Sequence, residues 1–268
     1  MATPEELFHT RGWVTFDPAP EVLHWADAAR PLAERLLADP GLRSQWLRCG
    51  GTWFAGVNVF PNDDSGAVSV AGVPPLAGPA VDFIASGLGL AGFAWDRAQI
   101  SICLPGYPKP WGEESDAAFR FRRDRDAAHV DGLLRDAARR RRLGETHDFI
   151  LGIPLTDTPA DASPLVVWEG SHEVMRRVFV ERFAGIAEGE WGREDITDVY
   201  AAARRECFES LRRVPVHARP GEAYILHRLA LHGIAPWDAG AGDLPRMIAY
   251  FRPDTDPSRG NSWWLDAP

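Results

Sequence analysis

What this 268-residue chain lacks narrows its chemistry before any motif is read. Its 3 cysteines, Cys49, Cys103 and Cys207, are far apart and odd in number, which excludes a CxxC metal clamp and a complete disulfide framework. Such thiols suit a reducing compartment, and a cytoplasmic protein is the expectation. Positive charge is not in excess either: 29 Lys and Arg stand against 38 Asp and Glu, a formal net charge of -9. That balance argues against a nucleic acid or an anionic membrane as partner, because both reward a basic surface. No uncharged apolar run reaches the roughly 20 residues that a membrane helix needs. The first residues, "MATPEELFHTRGWVTF", have no basic stretch ahead of an apolar one, so no secretory leader is expected. There is no internal repeat, no low-complexity tract and no GxSxG nucleophile motif.

What is present suffices for one sizeable core, with 45% hydrophobic and 25% charged residues. "RGWVTFDPAP" predicts a short strand closed by prolines, and "EVLHWADAARPLAERLLADPG" a helix that Pro31 could split. "GTWFAGVNVF" reads as a strand leaving through the turn cluster "PNDDSG", and "AGPAVDFIASGLG" as a second helix. In "RAQISICL", Ile100, Ile102 and Leu104 share one strand face while Gln99, Ser101 and Cys103 share the other. After a loop rich in proline and glycine, "PGYPKPWGEESD", come short strand candidates in "HDFILGIPL", "SPLVVWEG", "RRVPVHA", "EAYILH" and "RMIAYFRP". Helical patterns in "SHEVMRRVFVERFAG" and "EDITDVYAAARRECFESLRR" interrupt them, and Arg139–Arg142 reads as a solvated helix end. The order predicts a mainly β chain with added helices, an α+β barrel or jelly roll. We expect one domain over 1–268, with a largely helical portion, 1–95, packed on a barrel core, 96–253.

The chemistry concentrates in "AAHVDGLLRD", where His129 and Asp131 lie two apart. A chain with 8 His and many Asp meets that pattern by chance, so its weight depends on context. On a helix the two side chains diverge; on a strand they share a face about 6.6 Å apart and can converge on one cation. A third donor is offered by "GEAYILHRLALHGIAPW", in which His227 and His232, five apart, face opposite sides of a regular strand. The ordinary role of a lone histidine is structural hydrogen bonding. Two histidines and a carboxylate on one face form the triad of non-haem Fe(II) oxygenases, which leaves coordination positions open. The same ligands could hold zinc for hydrolysis, and a barrel that binds a ligand without turnover is the third reading. Arg246, in the strand that follows His232, separates them: its planar guanidinium can grip the carboxylate of a co-substrate through two parallel hydrogen bonds.

In "AAHVDG", "LGIPLTDTPADASPLVVWEGSHE", "GEAYILHRLALHGIAPW" and "PRMIAYFRP", and more weakly in "ELFHTRGWVTFDPAPEV", the chain resembles the phytanoyl-CoA dioxygenase family of Fe(II)- and 2-oxoglutarate-dependent oxygenases. The resemblance spans most of the chain and implies a double-stranded β-helix, a jelly roll of cupin type, with iron at one end. It implies His129, Asp131 and His232 as iron ligands, Arg246 as the holder of the distal carboxylate of 2-oxoglutarate, and His227 outside the ligand set. Ser171 and His172 then shape a turn and are no hydrolase pair. The implied reaction uses O2, releases succinate and CO2, and hydroxylates a small-molecule metabolite; Asp131 stands where related halogenases lack a carboxylate. Gly233 and Ile234 occupy positions where the family often carries a hydroxyl residue, so a second anchor must lie elsewhere. Gln99, Ser101 and Trp168 are candidate contacts to the co-substrate. Arg252, on the same alternating face as Arg246, is the fallback for its anchor. Trp53, Phe54, Asn58, Tyr107, Trp111, Arg122, Arg123 and Arg125 are candidates for a substrate mouth, although such residues more often form core or paired surface. Arginines facing the pocket would select an anionic substrate.

Overall fold

A computed structural model describes residues 2–70, 72–112 and 114–266; Met1, Ala71, Ala267, Pro268 and Glu113 of the proline- and glycine-rich loop lie outside them. Helix α1 (Pro4–Arg11) begins at a reciprocal cap in which the Thr3 hydroxyl accepts from Glu6 N and the Glu6 carboxylate accepts from Thr3 N. Strand β1 (Trp13–Phe16) follows, then α2 (Pro20–Ala38), which runs through Pro31 without splitting. The missing N–H of Pro31 is tolerated because one face of α2, including Trp25, Ala29 and Leu32, is buried. Next come α3 (Pro40–Trp46), β2 (Leu47–Arg48), β3 (Trp53–Phe54), α4 (Pro79–Ser86), β4 (Gln99–Cys103) and α5 (Asp116–Asp124). The second half holds β5 (Leu133–Arg135), β6 (Arg141–Leu143), β7 (Phe149–Pro154), β8 (Leu165–Trp168), α6 (Ser171–Phe183) and α7 (Thr197–Ser210). It ends with β9 (Arg213–Val216), β10 (Ala223–His227), β11 (His232–Ile234) and β12 (Arg246–Phe251).

The fold is α+β with antiparallel sheets. A seven-stranded sheet has the order β1-β10-β7-β12-β4-β3-β2, a three-stranded sheet the order β11-β8-β9, and β5 and β6 form a hairpin. Strand alternation sorts the side chains of the large sheet. Leu151, Ile153, Ile225, Ala249, Phe251, Ile100 and Ile102 face Trp25, Phe60 and Phe83 from the N-terminal segments. The opposite face, with Ile150, Leu226, Ile248 and Tyr250, packs against Leu165, Val167 and Val216 of the small sheet. The small sheet turns its other face, with Val166 and Trp168, towards α6 and α7. The order is therefore helices, large sheet, small sheet, helices, and polar side chains collect between the two sheets.

Three expectations need correction. The segment 1–95 is not merely packed on a core, because β1 forms one edge of the large sheet and β2 with β3 the other. "GTWFAGVNVF" is a strand only over Trp53–Phe54, since Gly56 and Asn58 turn the chain at φ +36° and +54°. Arg139–Arg142 is no helix end: it closes the β5–β6 hairpin, with Arg139 at φ +62°, Arg140 paired with Asp195 and Arg142 with Asp136.

Candidate metal centre

His129 is not in a regular strand. It forms an isolated antiparallel bridge with His232, the first residue of β11, through N–H···O bonds of 2.8 and 3.0 Å in the two directions. That bridge keeps the extended geometry that puts His129 and Asp131 on one side, and it fixes His232 directly opposite. Gly233 is required here: a Cβ on it would come within 2.2 Å of the Asp126 carbonyl. Close backbone packing beside the centre thus excludes any side chain at this position.

The three side chains converge. His129 Nε2 lies 3.2 Å from Asp131 Oδ1 and His232 Nε2 lies 3.9 Å from the same oxygen. One ligand atom from each falls within 4.8 Å of the others. Donors about 2.1 Å from one ion at right angles stand about 3 Å apart, so this spacing needs little adjustment to hold a metal. The tautomers also fit. His129 Nδ1 donates to Ala127 O at 3.1 Å and His232 Nδ1 donates to Ala230 O at 2.9 Å. A carbonyl only accepts, so each Nδ1 carries the proton and each Nε2 presents a lone pair.

Burial disfavours charge on Asp131, yet Arg252 and the two histidines outweigh it and hold the carboxyl well below its usual range. Arg252 Nη1 donates to Oδ2 at 3.2 Å, which leaves Oδ1 turned to the histidines. Burial lowers His232 to about 4 despite the opposing pull of Asp131, so its imidazole stays neutral at physiological pH. Neutral imidazole and ionised carboxylate are the forms a metal binds.

The triad opens on a cavity of about 250 Å³ between the sheets, walled by Ile150, Leu165, Leu226 and Ile234, with Trp53 and Tyr107 also on its lining. Gln99 and Ser101 line it as the alternation of β4 requires, and Trp53 Nε1 donates to Ser101 Oγ at 3.0 Å. Arg246 stands one residue back. It does not line this cavity, but its Nη2 donates at 3.2 Å to the hydroxyl of Tyr250, which does. Its Nη1 is buried with no partner, an orphaned donor on a guanidinium only 5% exposed. Arg252 lines the cavity, but as the partner of Asp131.

Trp168 is misplaced as a co-substrate contact. It lies on the other side of β8 from Leu165 and Val167, and its ring meets Phe208 edge-on at 5.1 Å in the core beneath α6 and α7. Arg122 pairs with Glu114, Arg123 with Asp124, and Arg125 lies over the Phe208 ring, so none of the three lines the cavity. Phe54 is core, Asn58 is in a turn, and exposed Trp111 sits beneath Arg48. His227 is fully buried and accepts from Leu229 N through Nδ1. Ser171 Oγ accepts from Leu231 N and His172 Nε2 donates to His9 O, so this serine and histidine position backbone. Tyr250 escaped sequence reasoning, although its spacing from Arg246 and Arg252 in "RMIAYFRP" puts all three on one strand face.

No protein-family model and no curated protein matches this chain. Among solved structures it is similar to AviO1 from Streptomyces viridochromogenes Tue57, with 18% identity over 96% of this chain and 98% of that one and a TM-score of 0.48. A prolyl-4-hydroxylase from Pseudomonas putida gives 14% identity over 94% and 93% of the two chains, with a TM-score of 0.47. EctD from S. alaskensis, solved with 2-oxoglutarate and 5-hydroxyectoine, gives 16% identity over 94% and 74%, with a TM-score of 0.44. Likenesses of this strength assign neither family nor activity.

Proposed function

We propose that this chain is a cytoplasmic Fe(II)- and 2-oxoglutarate-dependent dioxygenase of the phytanoyl-CoA dioxygenase type, built on a double-stranded β-helix, that hydroxylates a small-molecule metabolite. The observation that carries this reading is the convergence of His129 Nε2, His232 Nε2 and Asp131 Oδ1 at the wall of a cavity between the sheets, with both imidazole tautomers set by backbone carbonyls. These three residues would hold the metal. Bound Fe(II) with 2-oxoglutarate and O2 supplies oxidative decarboxylation to succinate and CO2, coupled to hydroxylation of a C–H bond.

The chain's own residues do the rest. Arg252 occupies Asp131 Oδ2, so the carboxylate offers a single oxygen and coordination positions are left for ligands. The orphaned Arg246 Nη1, with Tyr250 Oη beside it, supports Arg246 as the anchor for the far carboxylate of 2-oxoglutarate. Gln99 and Ser101, which line the cavity, offer further hydrogen bonds. The apolar walls keep water from the reacting region. With Arg122, Arg123 and Arg125 turned elsewhere, the lining favours a neutral metabolite over an anionic one.

The test is spectroscopic. Anaerobic addition of Fe(II) and 2-oxoglutarate should produce a weak visible charge-transfer band, and admission of air should then yield succinate even without a prime substrate. Arg246→Met should raise the 2-oxoglutarate concentration needed by about tenfold or more while leaving metal affinity near wild type. Absence of the band together with ester hydrolysis by the zinc-loaded protein would replace this reading with a hydrolase.

A further inference from the structure

The loop that delivers His129 adopts a backbone conformation its own residues resist. Asp126 and Ala127 lie at φ +55° and +53°, and among the described residues they are the one adjacent non-glycine pair at positive φ. They form the centre of a turn closed by Ala128 N, which donates to Arg125 O at 2.9 Å. Turns with two successive positive φ values ordinarily carry asparagine and glycine at these places, and an alanine Cβ crowds the backbone there. A contact from outside the turn has to hold it.

Arg213 of β9 makes that contact. Its Nε and Nη2 donate to Asp126 Oδ2 and Oδ1, both at 2.8 Å, a bidentate and charge-assisted pair on a buried carboxylate. β9 and β11 are the outer strands of the small sheet, and β11 begins with His232. Ile234 N of β11 donates to Asp126 O at 2.9 Å, so the turn is tied to both sides of that sheet. The next link reaches the triad, because Ala127 O accepts from His129 Nδ1 at 3.1 Å. His129 depends on this bond more than its companions depend on theirs: its side chain is 46% exposed, against 9% for Asp131 and 10% for His232. Packing does little to fix its ring.

We infer that Arg213, acting through Asp126, is a positioning residue of the metal centre: it holds the Asp126–Ala127 turn so that the Ala127 carbonyl keeps the His129 proton on Nδ1 and Nε2 aimed at the ion, a role that rests on the triad holding a metal. Neither Arg213 nor Asp126 belongs to the ligand set, and both Asp126 oxygens are occupied by the guanidinium. The centre is then set up before any metal arrives, by an ion pair that spans 87 positions of the chain.

Long-range ¹H–¹⁵N NMR of the metal-free full chain at about pH 8, where an ordinary histidine is neutral, reads the tautomer of each imidazole, and Co(II) titration of the same samples reads affinity. Wild type should bind Co(II) and show His129 with its proton on Nδ1. In Arg213→Met the His129 signals should shift to a mixture of tautomers while those of His232, bonded to Ala230 O, stay in place, and Co(II) affinity should fall about tenfold. Arg213→Lys, which keeps the charge without the fork, should recover part of that loss. Asp126→Asn keeps the shape of the side chain and tolerates positive φ, so it folds even where Arg213→Met does not; a loss of about threefold is expected. Arg182→Met breaks a comparable ion pair, with Glu194, that does not line the cavity, and should leave both readouts as in wild type. A wild-type His129 tautomer with affinity within about twofold of wild type in Asp126→Asn and in folded Arg213→Met would overturn the inference, as would an equal loss of affinity in Arg182→Met. Absence of Co(II) binding by wild type would instead overturn the metal-centre reading, and this role with it.

Discussion

Two pairs of histidines in this molecule have nearly the same geometry and opposite characters. His129 and His232 have ring centroids 4.8 Å apart at 46°, and His172 and His227 have theirs 4.9 Å apart at 49°. In the first pair both Nδ1 atoms donate to carbonyls, both Nε2 lone pairs are free, and Asp131 stands between them. In the second pair His227 Nδ1 accepts from Leu229 N, so its proton is on Nε2, while His172 donates from Nε2 to His9 O and keeps its lone pair on Nδ1. The remaining donor, His227 Nε2, and acceptor, His172 Nδ1, are both buried with no hydrogen-bond partner, and among the described residues no carboxylate joins them to complete a ligand set. Imidazole proximity is therefore not the determinant of a metal centre. The tautomer, set by each ring's backbone partner, and a carboxylate in reach are what separate the pairs.

Removing the carboxylate should break the contrast most completely. Asp131→Ala takes one donor from the triad and leaves Arg252 buried without its partner, so metal affinity should fall by more than about a hundredfold and stability by about 3 kcal/mol. Metal titration followed by calorimetry, and urea unfolding of the metal-free protein, measure the two effects. A milder break is Arg252→Met, which frees Asp131 Oδ2 to turn; about tenfold in metal affinity is expected, with partial recovery in Arg252→Lys. Wild-type affinity in Arg252→Met would show that Asp131 is oriented without its guanidinium. On the other side of the contrast, His227→Ala should cost about 2–4 kcal/mol of stability by opening a cavity and stranding Leu229 N, while metal affinity stays within about twofold of wild type.

Much of the centre was legible because it depends on simple periodicities. The i, i+2 spacing of His129 and Asp131 works through extended backbone, and Arg246 and Tyr250 share one face of β12 for the same reason, whereas His227 ends β10 of the large sheet and His232 begins β11 of the small one, so a turn between two sheets separates them and not alternation along one strand. Trp168 was misread because alternation requires knowing which face of β8 meets the cavity, and that depends on packing against α6 and α7 from sequence-distant Phe179 and Phe208. The role of Arg252 depended on its reach to a residue 121 positions away, a pairing no local pattern encodes. The arginine run failed for a different reason: the helix-like pattern of "GLLRDAARR" competes with a hairpin whose turn is held by Asp136 accepting from Arg140 N, and tertiary pairing with Asp195 decides it.

The smallest expected effect sharpens the comparison by pH. Burial is the leading cause that lowers His172 and His227, His227 strongly, and it lowers His232 of the first pair as well, so the fold prefers all three neutral. A histidine near its ordinary value of about 6.5 in the unfolded chain takes up a proton as the pH falls through that value, while its buried counterpart does not. The unfolded state then binds more protons, and stability present above pH ~6.5 is lost progressively below it. The urea midpoint of the metal-free protein should therefore drop between pH 7.5 and 5, and His172→Gln, which keeps a polar group near His9 O, should flatten that drop. An equally steep fall in His172→Gln would mean that His172 contributes nothing to the acid sensitivity.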